Sequence, residues 1–90
     1  MGRSITSRVK IKKPTIRNKN IAEKDVLGYA LTDDFEIEID PRQTSREYLN
    51  TLIHEMLHCF LPDLSEQAII KMSNIITEKI WARRYRRIEK

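Results

Sequence analysis

Phe35-Glu36-Ile37-Glu38-Ile39-Asp40-Pro41-Arg42-Gln43-Thr44-Ser45-Arg46-Glu47 is the stretch where the chain changes period. Apolar and acidic residues alternate over 35–40, so Phe35, Ile37 and Ile39 face one way and Glu36, Glu38 and Asp40 the other. That is the pattern of a strand with one buried side. Pro41 leads the chain away from the sheet. Thr44-Ser45-Arg46-Glu47 then has the form of a capping box, with Thr44 as N-cap and Glu47 at N3. A helix over 45–61 follows. At about 100° per residue, Leu49, Leu52, Ile53, Met56 and Phe60 gather on one side of it. The expected class is α+β.

Working toward the C-terminus, Pro62 stops the first helix, and Asp63-Leu64-Ser65-Glu66, again capping-box-like, starts a second. This helix runs from about 64 to the arginine-rich end, with Ile69, Met72, Ile76 and Ile80 as its apolar stripe. Toward the N-terminus, Asp33-Asp34 marks a turn and Gly28-Tyr29-Ala30-Leu31-Thr32 a short strand. Residues 15–25 read as a connection with a helical turn over 21–26. Arg8-Val9-Lys10-Ile11-Lys12 alternates as a strand does, and Lys13-Pro14 ends it. In one sheet with 35–40, Lys10 and Lys12 would offset the acids, by about 0.2–1 kcal/mol per pair. Residues 1–7 read as a loose tail and 83–90 as a basic end. The expected architecture is a single domain over 1–90, a two- to three-stranded sheet packed on two helices.

Ninety residues suffice for one modest core, and 40% hydrophobic with 33% charged residues suits a globular chain in water. No apolar run approaches a membrane span, and residues 1–8 lack the apolar core of a secretory signal. The single cysteine, Cys59, rules out an internal disulfide and suits a reducing compartment, so a cytoplasmic location is expected. The net charge of +4 hides segregation: residues 1–20 hold seven bases and no acid, and residues 21–40 hold seven acids and one base, Lys24. The acidic and basic segments read as sheet neighbours. Arg83, Arg84, Arg86, Arg87 and Lys90 read as a solvated helix end. A monomer or a small homo-oligomer fits equally.

Leu52-Ile53-His54-Glu55-Met56-Leu57-His58-Cys59-Phe60 lies inside the first helix and contains His-Glu-x-x-His with the only two histidines of the chain. Histidines at i and i+4 stand one turn apart on one side, where both imidazoles reach a single zinc ion. Glu55 between them is placed to act on a water bound to that ion. A core histidine would sit within the apolar stripe, whereas His54 and His58 project roughly opposite to it and need another element to cover them. A catalytic zinc usually takes a third protein ligand. Cys59 points about 100° from His58 and reads as a small core residue. Glu66 lies about as far past the turn at Leu61-Pro62 as His58 lies before it, which returns it to the level of His58. Glu78 would overshoot His54, and Asp63 reads as the N-cap. Glu66 is therefore the expected ligand, against its competing role as N3 of a capping box.

His54-Glu55-Met56-Leu57-His58 followed by Leu61-Pro62-Asp63-Leu64-Ser65-Glu66 resembles the zincin metallopeptidases. More narrowly, it is similar to gluzincin-like, very small metallopeptidases encoded by bacteriophages and prophages. The resemblance covers about residues 35–82. It implies one zinc per chain on His54, His58 and Glu66, Glu55 as general base, and a peptide or protein substrate in the cytoplasm, a host's if the chain is phage-encoded. The longer ligand spacing of thermolysin-like enzymes would instead point to Glu78, and no third histidine completes a metzincin pattern. Tyr29, Tyr48 and Tyr85 are the candidates for an oxyanion-stabilising residue. Phe35, Glu36, Ile37, Glu38 and Ile39 are expected to bind substrate as an exposed strand edge.

A different class of function remains in view. Trp81-Ala82-Arg83-Arg84-Tyr85-Arg86-Arg87 interleaves aromatics with arginines, as nucleic-acid surfaces do. A non-catalytic zinc module binding nucleic acid or protein through this end is the alternative. Cations at a helix C-terminus beside a packed Trp81 account for the pattern more simply, so nucleic acid is not the favoured partner.

Overall fold

The structure is a computed structural model and describes residues 9–21 and 27–87. Its elements are β1 (Thr15–Asn18), β2 (Gly28–Leu31), β3 (Glu36–Ile39), α1 (Ser45–Phe60) and α2 (Glu66–Ala82). The class is α+β, as expected: a three-stranded sheet and two helices. The sheet order is β1-β3-β2, with β1 parallel and β2 antiparallel to β3.

β3 takes the centre because it has the strongest apolar face: Phe35, Ile37 and Ile39 are at most 3% exposed and pack with Cys59 of α1. Ala30, Tyr48, Leu52, Met56 and Phe60 close over them. Phe35 ends the β2–β3 turn with φ at 53°, the left-handed setting that commonly closes such hairpins. Its strain, on the order of 1–2 kcal/mol for a residue with a Cβ, is offset by burying the ring against Phe60 at 6.2 Å between centroids.

The first strand is not where alternation places it. Among the described residues of 8–12 there is no strand: Val9 and Ile11 are exposed, and Lys10 N–H donates to the Phe60 carbonyl at the end of α1. β1 instead begins right after Pro14 and is exposed along its length. Proline can precede a strand it cannot sit within, and backbone pairing with β3, from Thr15 N–H to Phe35 O through Lys19 N–H to Ile39 O, selects this segment. The acids of β3 accordingly pair with Arg17 and Lys19 (3.6 and 3.5 Å), not with Lys10 and Lys12. The helical turn expected over 21–26 lies, apart from Ile21, outside the described residues.

α1 carries the complete capping box: Glu47 N–H donates to Thr44 Oγ1 and Thr44 N–H to Glu47 Oε1, both at 3.2 Å. Its sheet side is formed by Tyr48, Leu52, Met56 and Cys59, and roughly its opposite side meets α2. Among the described elements α2 packs on α1 and not on the strands, so the layers run sheet, α1, α2. With packing on both sides, the most buried line of α1 is Thr51, Glu55 and Cys59, while the apolar stripe of Leu49, Leu52, Ile53, Met56 and Phe60 is only half-buried. On α2, Ile69, Ser73 and Thr77 are the buried line, flanked by half-buried Met72, Ile76 and Ile80.

Candidate metal centre

α2 starts two residues later than its capping-box pattern implies. Ser65, not Asp63, is the N-cap, and its Oγ accepts from Ala68 N–H at 3.1 Å. Glu66 therefore stands at the first helical position rather than at N3. It has no N-cap amide to reach back to, and its carboxylate sits where the helix dipole favours negative charge. The tight turn over 61–64, closed by Leu64 N–H to Leu61 O at 3.1 Å, brings this residue back beside the end of α1.

There it meets both histidines. His58 Nε2 lies 2.8 Å from Glu66 Oε1, His54 Nε2 lies 3.2 Å from Glu66 Oε2, and the two Nε2 atoms are 3.2 Å apart. Ligand atoms of four-coordinate zinc at ordinary bond lengths are separated by about 3.3 Å, so these three could hold one ion. With Nε2 protonated, each imidazole can donate to a different Glu66 oxygen; with Nε2 deprotonated, the same two nitrogens and the carboxylate present lone pairs that could converge on one cation. The side chains of His54 and His58 are 17% and 26% exposed and that of Glu66 56%, so the cluster opens to solvent on the α2 side. Among the described residues this is the one group of three such ligands. Glu78 and Asp63 lie outside it, and Cys59 is buried in the core. Burial pushes the Cys59 thiol up, and the Glu55 charge adds to that.

Glu55 is outside the donor set and buried, facing a groove shared with His54. Burial raises its carboxyl above the usual range, His58 opposes the shift and Glu66 adds to it. The groove, about 310 Å³, is lined by Leu27, Gly28, Asn50, Thr51, His54 and Glu55. Gly28 is needed for its shape: a Cβ there would stand 2.7 Å from Thr51 Cγ2 and 3.0 Å from the Glu38 carbonyl oxygen. The missing side chain lets β2 lie directly against α1, one turn before Glu55.

The expected substrate edge, Phe35 to Ile39, is corrected by the sheet order. β3 is paired on both sides; Phe35, Ile37 and Ile39 are core, and Glu36 and Glu38 are engaged on the outer face. An alternating pattern reports which faces a strand has, not whether its edges are occupied. The edge beside the groove belongs to β2. Asp40 N–H donates to Leu27 O, so in the antiparallel alternation Leu27, Tyr29 and Leu31 turn their backbone groups to β3. Gly28 and Ala30 direct theirs outward.

None of the three tyrosines reaches the cluster. Tyr29 lies opposite Glu38 and donates its hydroxyl to that carboxylate, which raises the Tyr29 pKa above the usual phenol range. Tyr48 donates to Asn18, and Tyr85 is exposed past the end of α2. Sequence reasoning also passed over Asn50. It stands one turn before His54 on the same side of α1, a placement readable from spacing, but a polar residue on a helix looks like surface. Among the described residues no helix is long and apolar enough to cross a membrane.

Compared with known protein families, characterised proteins and solved structures, the chain matches none.

Proposed function

We propose that the chain is a zincin-type peptidase that holds one zinc on His54, His58 and Glu66 and uses Glu55 as general base. The observation that carries this reading is the convergence of two Nε2 atoms and one carboxylate, 2.8–3.2 Å apart, from two helices. Two imidazoles and a carboxylate are a donor set suited to zinc with a position left open. Zinc bound there would polarise a scissile carbonyl and make water nucleophilic near neutral pH. Glu55 takes the proton from the attacking water and delivers it to the leaving amine nitrogen. Its burial strengthens its hold on a proton, which suits that task. An extended peptide adds to the sheet at the outer edge of β2, pairing with Gly28 and Ala30 and passing His54 and Glu55.

The alternative, a zinc-containing module that binds nucleic acid or protein through its basic end, has less support. Arg86 lies 3.5 Å over the Trp81 ring and donates to the carbonyls of Trp81 and Tyr85. Arg87 lies over Tyr48 and donates to the carbonyls of Pro41 and Gln43. Both guanidiniums thus serve the fold, which among the described residues of this end leaves Arg83 and Arg84 for a partner.

The test is Glu55→Gln in zinc-loaded protein. Zinc content should stay at the wild-type level while cleavage of an unfolded protein substrate falls by about 10²-fold or more. Cleavage undiminished in the variant would remove Glu55 from the reaction. Absence of cleavage by zinc-loaded wild type across a broad peptide mixture would favour the binding module.

A further inference from the structure

Beyond the metal cluster the groove does not end. It continues along α1 toward the helix N-terminus, into a second depression of about 450 Å³ bordered by Leu27, Asn50 and Asn74. Asn50 lines both parts. It lies about one helical turn from His54, roughly 6 Å along the axis. Its Nδ2 donates to Asn74 Oδ1 at 2.9 Å, a link from α1 to the middle of α2 that fixes the plane of the Asn50 carboxamide. A carboxamide offers two N–H donors and a carbonyl. With one N–H committed to Asn74, the other N–H and the carbonyl oxygen have no partner among the described residues. Across the groove is Gly28, the start of the β2 edge that pairs with no strand among the described residues.

We infer that Asn50, braced by Asn74, grips the main chain of the bound peptide on the side opposite β2. Each residue of an extended chain turns its own N–H and C=O to the same edge, and the open half of the Asn50 carboxamide presents the complementary acceptor and donor. The extended chain would be held from both sides: by Gly28 and Ala30 along the sheet edge, and by the Asn50 amide from the helix. Contacts to the main chain alone imply little demand on side-chain identity at that position, so the substrate class is an extended, unfolded segment rather than a short side-chain motif. This inference rests on the peptidase reading and adds a residue to it.

The experiment measures binding of two kinds of zinc chelator to zinc-loaded full-length protein. One is acetohydroxamate, too short to reach Asn50. The others are four-residue peptide hydroxamates with the chelating group at the amino or the carboxyl end. In Asn50→Ala, affinity for at least one peptide hydroxamate should fall about tenfold, as expected for one to two lost hydrogen bonds to the ligand. Affinity for acetohydroxamate and zinc content should be unchanged. Asn74→Ala should give a smaller loss of the same kind. A merely structural tie between the helices would instead weaken both chelators alike or neither, and either result overturns the inference. Failure of wild type to bind any hydroxamate would defeat the peptidase reading itself, and this inference with it.

Discussion

Asp40 shows how much one carboxylate can organise. It is 3% exposed and accepts from Ile21 N–H at 3.2 Å, Arg42 N–H at 3.0 Å and the Arg42 guanidinium at 2.9–3.0 Å. It thereby ties the segment after β1 to the turn that launches α1. The Arg42 guanidinium above all, then the Arg42 amide, hold its carboxyl far below the usual range; burial opposes them and the Ile21 amide assists. A depressed pKa in the folded state stabilises the protein above the unfolded carboxyl value, about 4, and the contribution is lost as pH falls through the folded value. Asp40→Asn should therefore lower the urea midpoint at about pH 7, and the gap from wild type should shrink steadily below about pH 4. A gap independent of pH would show that packing, not charge, is what Asp40 supplies. Alternation in the sequence puts Asp40 outward with Glu36 and Glu38. It is buried because β3 ends at Ile39 and the chain then turns.

At the scale of elements, the two helix caps separate fold from site. Thr44 caps α1 far from the cluster, whereas Ser65 caps the first turn of α2, which carries Glu66. Thr44→Ala and Ser65→Ala should each cost about 1 kcal/mol of stability in urea unfolding. Only Ser65→Ala should also weaken zinc binding, read by competition with a chromogenic chelator; equal effects of the two on zinc would contradict this placement of Glu66. The β3–α1 junction was legible because face alternation and the Thr44–Glu47 box are local signals. The pairing of His54 and His58 was legible for the same reason, and Glu66 followed from the shortness of the turn. β1 was not, since Thr15-Ile16-Arg17-Asn18 has no buried face and is chosen by long-range pairing. The N-cap of α2 is ambiguous in the sequence, because Asp63 and Ser65 are both good capping residues two positions apart, and the structure uses Ser65. Which strand has a free edge is set by sheet order, and no local pattern encodes it.

Across the whole molecule, α1 is the shared layer: one side builds the core with the sheet, the other receives α2. The candidate centre sits at the turn joining α1 to α2, and Asn50 with Asn74 ties the same pair of helices further along. A metal there would tie the start of α2 to α1. The central claim is that His54, His58 and Glu66 together hold zinc. Its most direct test is zinc content per chain, measured after purification without chelators, for wild type beside Glu66→Ala. The account predicts about one zinc per wild-type chain and a marked loss in a variant that remains folded. Full zinc in Glu66→Ala, or a wild type that takes up none when zinc is supplied, would contradict it.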